Sequence, residues 1–263
     1  MRPLLLMTLF SLLLLNCKRS EVVVFEYGDF QTDKKVLGVL LTATWSDRSG
    51  ETGLAAYNTF VQDSFPNRVI PIVAHAATVG DPFYSLSASQ FYSLYEAEQF
   101  PSFGLNVRGI PFIEIDELYR FTRQELTDTV NGIPQVAKPK LVIATAKRVE
   151  GRKLRCKAKI RIEEPIDSTE LSVAIYITEN DVLGFQQGTD GLIFHQNVLR
   201  AAITAGPWGE IVKGGGFEAG EEFEKEAVFS MNDDTDSNQL YMVVVVYRMQ
   251  NGFPVEVLNC NRF

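Results

Sequence analysis

Few side chains in this sequence are intrinsically reactive. Its thiols and imidazoles are Cys17, Cys156, Cys260, His75 and His195. A thiolate can be acylated, oxidised or metal-bound, and a neutral imidazole can take a proton or bind a metal. Five such residues spread over 263 positions give little material for a zinc or haem centre, so no metal or cofactor is expected. A two-histidine metal site would need His75 and His195 to meet across the chain.

Cys156 falls on the apolar face of an alternating strand, and Cys260 lies on a late strand near the C-terminus. An envelope compartment permits disulfides, and a bridge closing roughly 100 residues would contribute up to ~4–5 kcal/mol in the chain-entropy model. The alternative is two buried thiols on different strands. Ser46 could act as a nucleophile only beside a base, and His75, at a strand end, could approach it in space. Asp234-x-Asp236-x-Asn238 has the spacing of a calcium loop. Gln239 stands where that loop needs Gly, however, and Val245 where it needs Glu, which favours a polar hairpin turn.

The remaining cysteine has a different context. Arg2 precedes an apolar run from Leu4 to Leu15, and Asn16-Cys17 follow. A basic start, a dozen apolar residues and a small polar exit read as a secretory signal over residues 1–17, too short to span a bilayer. Leu14-Leu15-Asn16-Cys17 looks like a bacterial lipobox, although Asn16 replaces the usual small residue. Acylation of Cys17 would place the protein on a membrane through its N-terminal lipid. Lys18–Glu21 would form the tether.

Two kinds of periodicity follow. Between Glu21 and Ile133, strand and helix patterns alternate. Val36–Thr44 and Arg68–Ala77 are continuous apolar runs, as in strands buried on both faces, and Pro71 interrupts the second. Leu54, Tyr57, Val61 and Phe65 form a stripe at helical spacing. Residues 86–98 read as a helix and Ile110–Ile115 as a strand. Thr122-Arg123-Gln124-Glu125 is a capping box for another helix. Beyond Pro134 and Pro139 the period becomes two. Lys153, Arg155, Lys157, Lys159 and Arg161 alternate with Leu154, Cys156, Ala158, Ile160 and Ile162. Further strands are expected at Leu171–Glu179, Leu199–Thr204, Phe223–Ser230, Leu240–Arg248 and Pro254–Leu258. The expected fold is α/β over residues 18–137 followed by an antiparallel β-sandwich over residues 138–263.

Trp45-Ser46-Asp47-Arg48-Ser49, after a buried strand, resembles the active-site turn of thioredoxins. Val107-Arg108-Gly109-Ile110-Pro111 resembles the segment that carries the thioredoxin cis-proline. The resemblance implies a thioredoxin-like N-terminal domain. Ser46 and Ser49 occupy the positions of the two thioredoxin cysteines, and no disulfide can form between hydroxyls, so dithiol redox activity is not expected there. Trp45, Ser46, Asp47, Arg48, Ser49 and Pro111 then form a candidate binding surface. With His75, Asp81-Pro82, His195–Arg200 and Trp208-Gly209-Glu210, the chain resembles the thioredoxin-like outer-membrane lipoproteins of Bacteroidetes-type bacteria, a group named for a twenty-eight-kilodalton antigen. The resemblance implies residence at the outer membrane and no established reaction.

Charge narrows the partners. With 25 basic and 33 acidic residues the net charge is −8, which argues against nucleic acid. The cation row from Lys153 to Arg161 could meet lipid headgroups or an acidic partner, and more simply is a solvated strand face that discourages edge pairing. The functional expectation is a lipid-anchored, non-catalytic binding or scaffold module with a protein or peptide partner in the envelope. The alternatives are a residual thiol oxidoreductase using Cys156 or Cys260, a Ser46–His75 hydrolase, or a purely structural surface antigen with no specific small ligand.

Overall fold

The computed structural model describes residues 25–47, 50, 53–75, 80–95, 102–105, 113–114, 138–167, 170–212 and 214–263. Over these residues the protein is mostly β. The strands are β1 (Val36–Thr42), β2 (Val69–His75), β3 (Ser102–Leu105), β4 (Ile113–Glu114), β5 (Leu141–Glu150), β6 (Lys153–Ile162), β7 (Glu170–Glu179) and β8 (Val182–Phe185). They continue as β9 (Leu192–His195), β10 (Val198–Ala202), β11 (Glu210–Ile211), β12 (Glu222–Ser230), β13 (Leu240–Gln250) and β14 (Phe253–Arg262). Two short α-helices, α1 (Leu54–Asn58) and α2 (Leu86–Tyr95), accompany them, and a π-helical turn over Thr59–Ser64 extends α1. No helix among the described residues is long and apolar enough to cross a membrane.

This corrects the expected fold class. No thioredoxin-like α/β domain with a separate antiparallel β-sandwich is evident among the described residues. Strands from both halves instead hydrogen-bond into one nine-stranded sheet, ordered β14-β13-β7-β10-β2-β1-β3-β4, with β11 added beside β7. The join lies between β2 and β10, which pair in parallel at Val198↔Val73, where Val73 N–H donates to the Asn197 carbonyl at 2.8 Å. The alternation of strand and helix patterns is a local signal. It does not reveal which strand closes the open edge of β2, and that edge is taken by a strand more than 120 residues later in the chain. Residues 115–137, which hold the capping box and most of the expected boundary, lie outside the described residues.

The middle of the large sheet is buried on both faces. Val173, Ile175 and Ile177 of β7 and Met242, Val244 and Val246 of β13 face one hydrophobic cluster, which β5, β6 and Phe217 complete. Ala174 and Tyr176 of β7 and Val243, Val245 and Tyr247 of β13 face the other cluster, with β1, β2 and Phe91 of α2. Two-sided burial explains why LSVAIYIT and LYMVVVVY read as continuous apolar runs instead of alternating ones. β5, which the sequence reading missed, pairs along its whole length with β6, and β6 with β12.

The cation row on β6 is not an open basic face. Lys157 pairs with Glu226 at 3.1 Å, and Lys159 with Glu224 at 3.3 Å and Glu222 at 3.5 Å. The segment before β1 also lies across it. Phe25, Tyr27 and Phe30 place their rings 4.8, 5.5 and 4.2 Å from the cationic ends of Lys157, Lys159 and Arg161. Gly28 and Gln31 N–H groups donate to the Thr145 and Ile143 carbonyls of β5, each at 3.0 Å.

Candidate functional site

β1 ends at Thr42 and delivers the chain into the turn at Trp45. Trp45 is 43% exposed and Asp47 is exposed, while Ser46 is only 8% exposed. Arg48, Ser49 and Pro111 lie outside the described residues, as does Cys17. The turn is clamped by the loop after β8. The fully buried side chain of Gln186 donates through Nε2 to the Ala43 carbonyl at 3.1 Å and the Ser46 carbonyl at 3.0 Å. Gln187 N–H donates to the Thr44 carbonyl at 2.8 Å. Gly50 is required by this contact, because a Cβ there would come within 2.1 Å of the Gln187 carbonyl oxygen.

Next to the turn, His75, Asp81, Phe83 and His195 form a buried cluster. Asp81 Oδ2 accepts from Thr44 N–H at 2.8 Å and lies 3.3 Å from His75 Nδ1, and its Oδ1 accepts from Phe83 N–H at 3.0 Å. Burial by itself would raise the Asp81 carboxyl. The hydrogen bond and charge of His75 and the two backbone N–H groups outweigh it and hold the carboxyl below its ordinary value. Phe83 sits edge-on to both imidazoles, with centroids 5.1 Å from His75 and 4.6 Å from His195. A Cβ on Gly184 would strike the Phe83 ring at 2.2 Å, so β8 approaches Phe83 only because it has no side chain there. Burial, reinforced by His75, pulls the His195 imidazole down to about 4.

The structure therefore joins several sequence-flagged residues and separates others. His75, Asp81 and His195 meet, with ring centroids of the two histidines 5.6 Å apart. His75 gives Nδ1 to Asp81, and its Nε2 has no hydrogen-bond partner among the described residues, so Ser46 and His75 do not form a nucleophile–base pair. No group of three or more His, Cys, Asp or Glu among the described residues could hold a metal ion. Trp208 packs against Phe91 and Tyr247, at 5.1 and 6.1 Å between centroids. Asp236 caps a 3-10 turn by accepting from Asn238 N–H at 2.9 Å.

The candidate disulfide is also corrected. Cys156 and Cys260 are free and buried. Cys156 faces the cluster between the two sheets, and Cys260 faces the cluster on the opposite side of the large sheet. Burial pushes the Cys156 thiol up to about 12 and the Cys260 thiol higher still.

Sequence reasoning missed the β8–β9 hairpin, which both clamps the turn and carries His195. Leu183 pairs with Phe194 and Phe185 with Leu192. These four side chains point away from the cluster and are 55–64% exposed. The signal was in Val182–Phe185 and Leu192–His195, where apolar residues occupy both faces of short strands beside Gly-rich turns.

The family model described as outer membrane protein Omp28 matches residues 88–262, from α2 to the end of β14. The chain belongs to the Omp28 family. It is thus an envelope protein of the outer membrane. Among solved structures it is similar to HBP35 of Porphyromonas gingivalis, at 14% identity and TM-score 0.66, over 89% of this chain and 76% of that one. That likeness is one of fold. A domain of the outer membrane lipoprotein Omp28 from Porphyromonas gingivalis matches at 20% identity and TM-score 0.32, over 47% of this chain and 86% of that one. The sporulation control protein Spo0M from Bacillus subtilis matches at 11% identity and TM-score 0.27, over 47% of each chain. No curated protein matches the chain.

Proposed function

We propose that this Omp28-family protein is anchored by lipid at Cys17 and acts by binding a protein partner in the envelope, without catalysing a reaction. The observation that carries this reading is the β8–β9 hairpin. Its inner side is spent on structure: Gln186 and His195 are buried against the Trp45 turn and Phe83. Its outer side exposes Leu183, Phe185, Leu192 and Phe194 in two cross-strand pairs. Large apolar side chains gathered on one exposed face are characteristic of interaction sites, and aromatic residues dominate interface energetics. Exposed Trp45 belongs to the turn that this hairpin clamps. The same clamp argues for binding over turnover, because Ser46 is buried and His75 is fully enclosed.

A photo-crosslinking residue at Phe194 in living cells tests the proposal. A discrete protein adduct is expected, and it should disappear in a Leu183→Ser/Phe185→Ser variant that melts at the same temperature. Flotation of the Cys17→Ala body with lipid vesicles would show the face to be a membrane contact, and would overturn the reading. The anchor has its own readout, since Cys17→Ala should move the protein out of the membrane fraction.

A further inference from the structure

The join between β2 and β10 leaves a notch in the large sheet. β10 begins at Val198 opposite Val73, so β2 from Val69 to Ile72 has no β10 residue beside it. Val73 N–H points to the β10 side, and Pro71, two residues earlier, faces the same edge. A residue without an N–H is tolerated there because no strand offers it a carbonyl. The notch opens into a cavity of about 570 Å³, within the range that accommodates small ligands.

The lining is unusual for a chain of net charge −8. Its charged side chains are Lys35 and Arg262, with no Asp or Glu among them. The Arg262 guanidinium stacks 3.9 Å from the centre of the Tyr241 ring and donates through Nη2 to Asn180 Oδ1 at 3.2 Å. Its Nε is buried without a hydrogen-bond partner among the described residues. A guanidinium taken out of water without a counter-charge is costly to keep, and burial here lowers its pKa. Asn197 is 3% exposed, and its Oδ1 also has no partner. Its backbone is fixed independently, with N–H donating to Asn180 Oδ1 at 2.9 Å. Asn180 therefore positions the guanidinium and the Asn197 backbone together.

We propose that this cavity binds a small polyhydroxylated carboxylate, in chemical class an acidic sugar, whose carboxylate pairs with Arg262. A guanidinium fork matches a carboxylate, and the pairing would supply a counter-charge. The class follows from the rest of the lining. Several amide side chains, Gln62 and Asn67 among them, present donors and acceptors together, which suits hydroxyl groups. Inorganic phosphate offers mainly acceptors and would leave those amide oxygens unmatched. This site is separate from the β8–β9 face, and each can fail without the other.

Isothermal titration of the purified full chain with D-galacturonate tests it, with D-galactose and inorganic phosphate as controls. Saturable galacturonate binding is expected, weakened at least tenfold by Arg262→Gln. Asn197→Asp is the second variant. It keeps the side-chain shape and places a carboxylate in the cavity, so it should raise the melting temperature and also abolish binding. Three results would each overturn the proposal: no galacturonate binding at millimolar concentration, galactose or phosphate binding as tightly as galacturonate, or unchanged galacturonate binding in either folded variant.

Discussion

Gln186 is the side chain on which the geometry of the Trp45 turn rests most directly, and replacing it with leucine isolates that role. Leucine keeps most of the buried volume and removes the amide. In the native protein Nε2 serves the carbonyls of Ala43, Ser46 and Gln187 at 3.0–3.2 Å. The Ala43 carbonyl also accepts from Ser46 N–H at 3.2 Å, and the Ser46 carbonyl from Gly50 N–H at 3.4 Å, so neither is wholly orphaned by the change. A buried acceptor left under-satisfied costs ~1–3 kcal/mol. With one long residual bond at each, the total falls at about 2–3 kcal/mol. For a protein of this size that lowers Tm by roughly 5–10 °C. Thermal unfolding by circular dichroism reads the loss, and hydrogen exchange at Thr44–Asp47 locates it. Gln186→Glu should be worse at neutral pH, because an ionised carboxylate would face three carbonyls. A Gln186→Leu protein melting within roughly 2 °C of wild type, with unchanged exchange in the turn, would refute the clamp.

Three further outcomes are expected. His195 binds its proton less readily when folded, with a pKa of about 4 against an unfolded value of about 6.5. The unfolded chain therefore takes up more protons as pH falls through that window. Stability should drop by ~3 kcal/mol between pH 6.5 and 4, and His195→Phe should flatten the slope in urea titrations. Asp81, held below its ordinary value, adds a loss only in stronger acid. Intact-mass measurement after iodoacetamide should show Cys156 and Cys260 unmodified in the native protein and both modified after unfolding without reductant. A Glu224→Gln/Glu226→Gln protein should melt slightly lower in dilute buffer and identically to wild type in high salt, since partly exposed ion pairs are weak and screened.

Residue pattern and tertiary placement divide cleanly in this protein. Of the stripe Leu54, Tyr57, Val61 and Phe65, the last three are buried and Leu54 is half-buried, and β6 alternates as its ten residues do. β1 and β2 are buried along their length, as their continuous apolar runs require. These are short-range properties, fixed by side-chain period against one or two faces. Trp45, His75, Asp81 and His195 were legible as special residues, but their grouping was not. Gln186 gave no signal, because a glutamine in a polar turn reads as solvated until a neighbouring segment buries it.

What the sequence by itself determined is therefore strands such as β1, β2, β6, β7, β12 and β13, and the acidic balance that argues against nucleic acid. Only the tertiary structure decided that β10 closes onto β2 and merges the two halves into one sheet. The same decision kept Cys156 and Cys260 on opposite faces and left Arg262 facing a notch lined by no Asp or Glu. Pairing between distant strands is chosen by which edges remain open once local elements have formed, and an open edge leaves no mark in local periodicity.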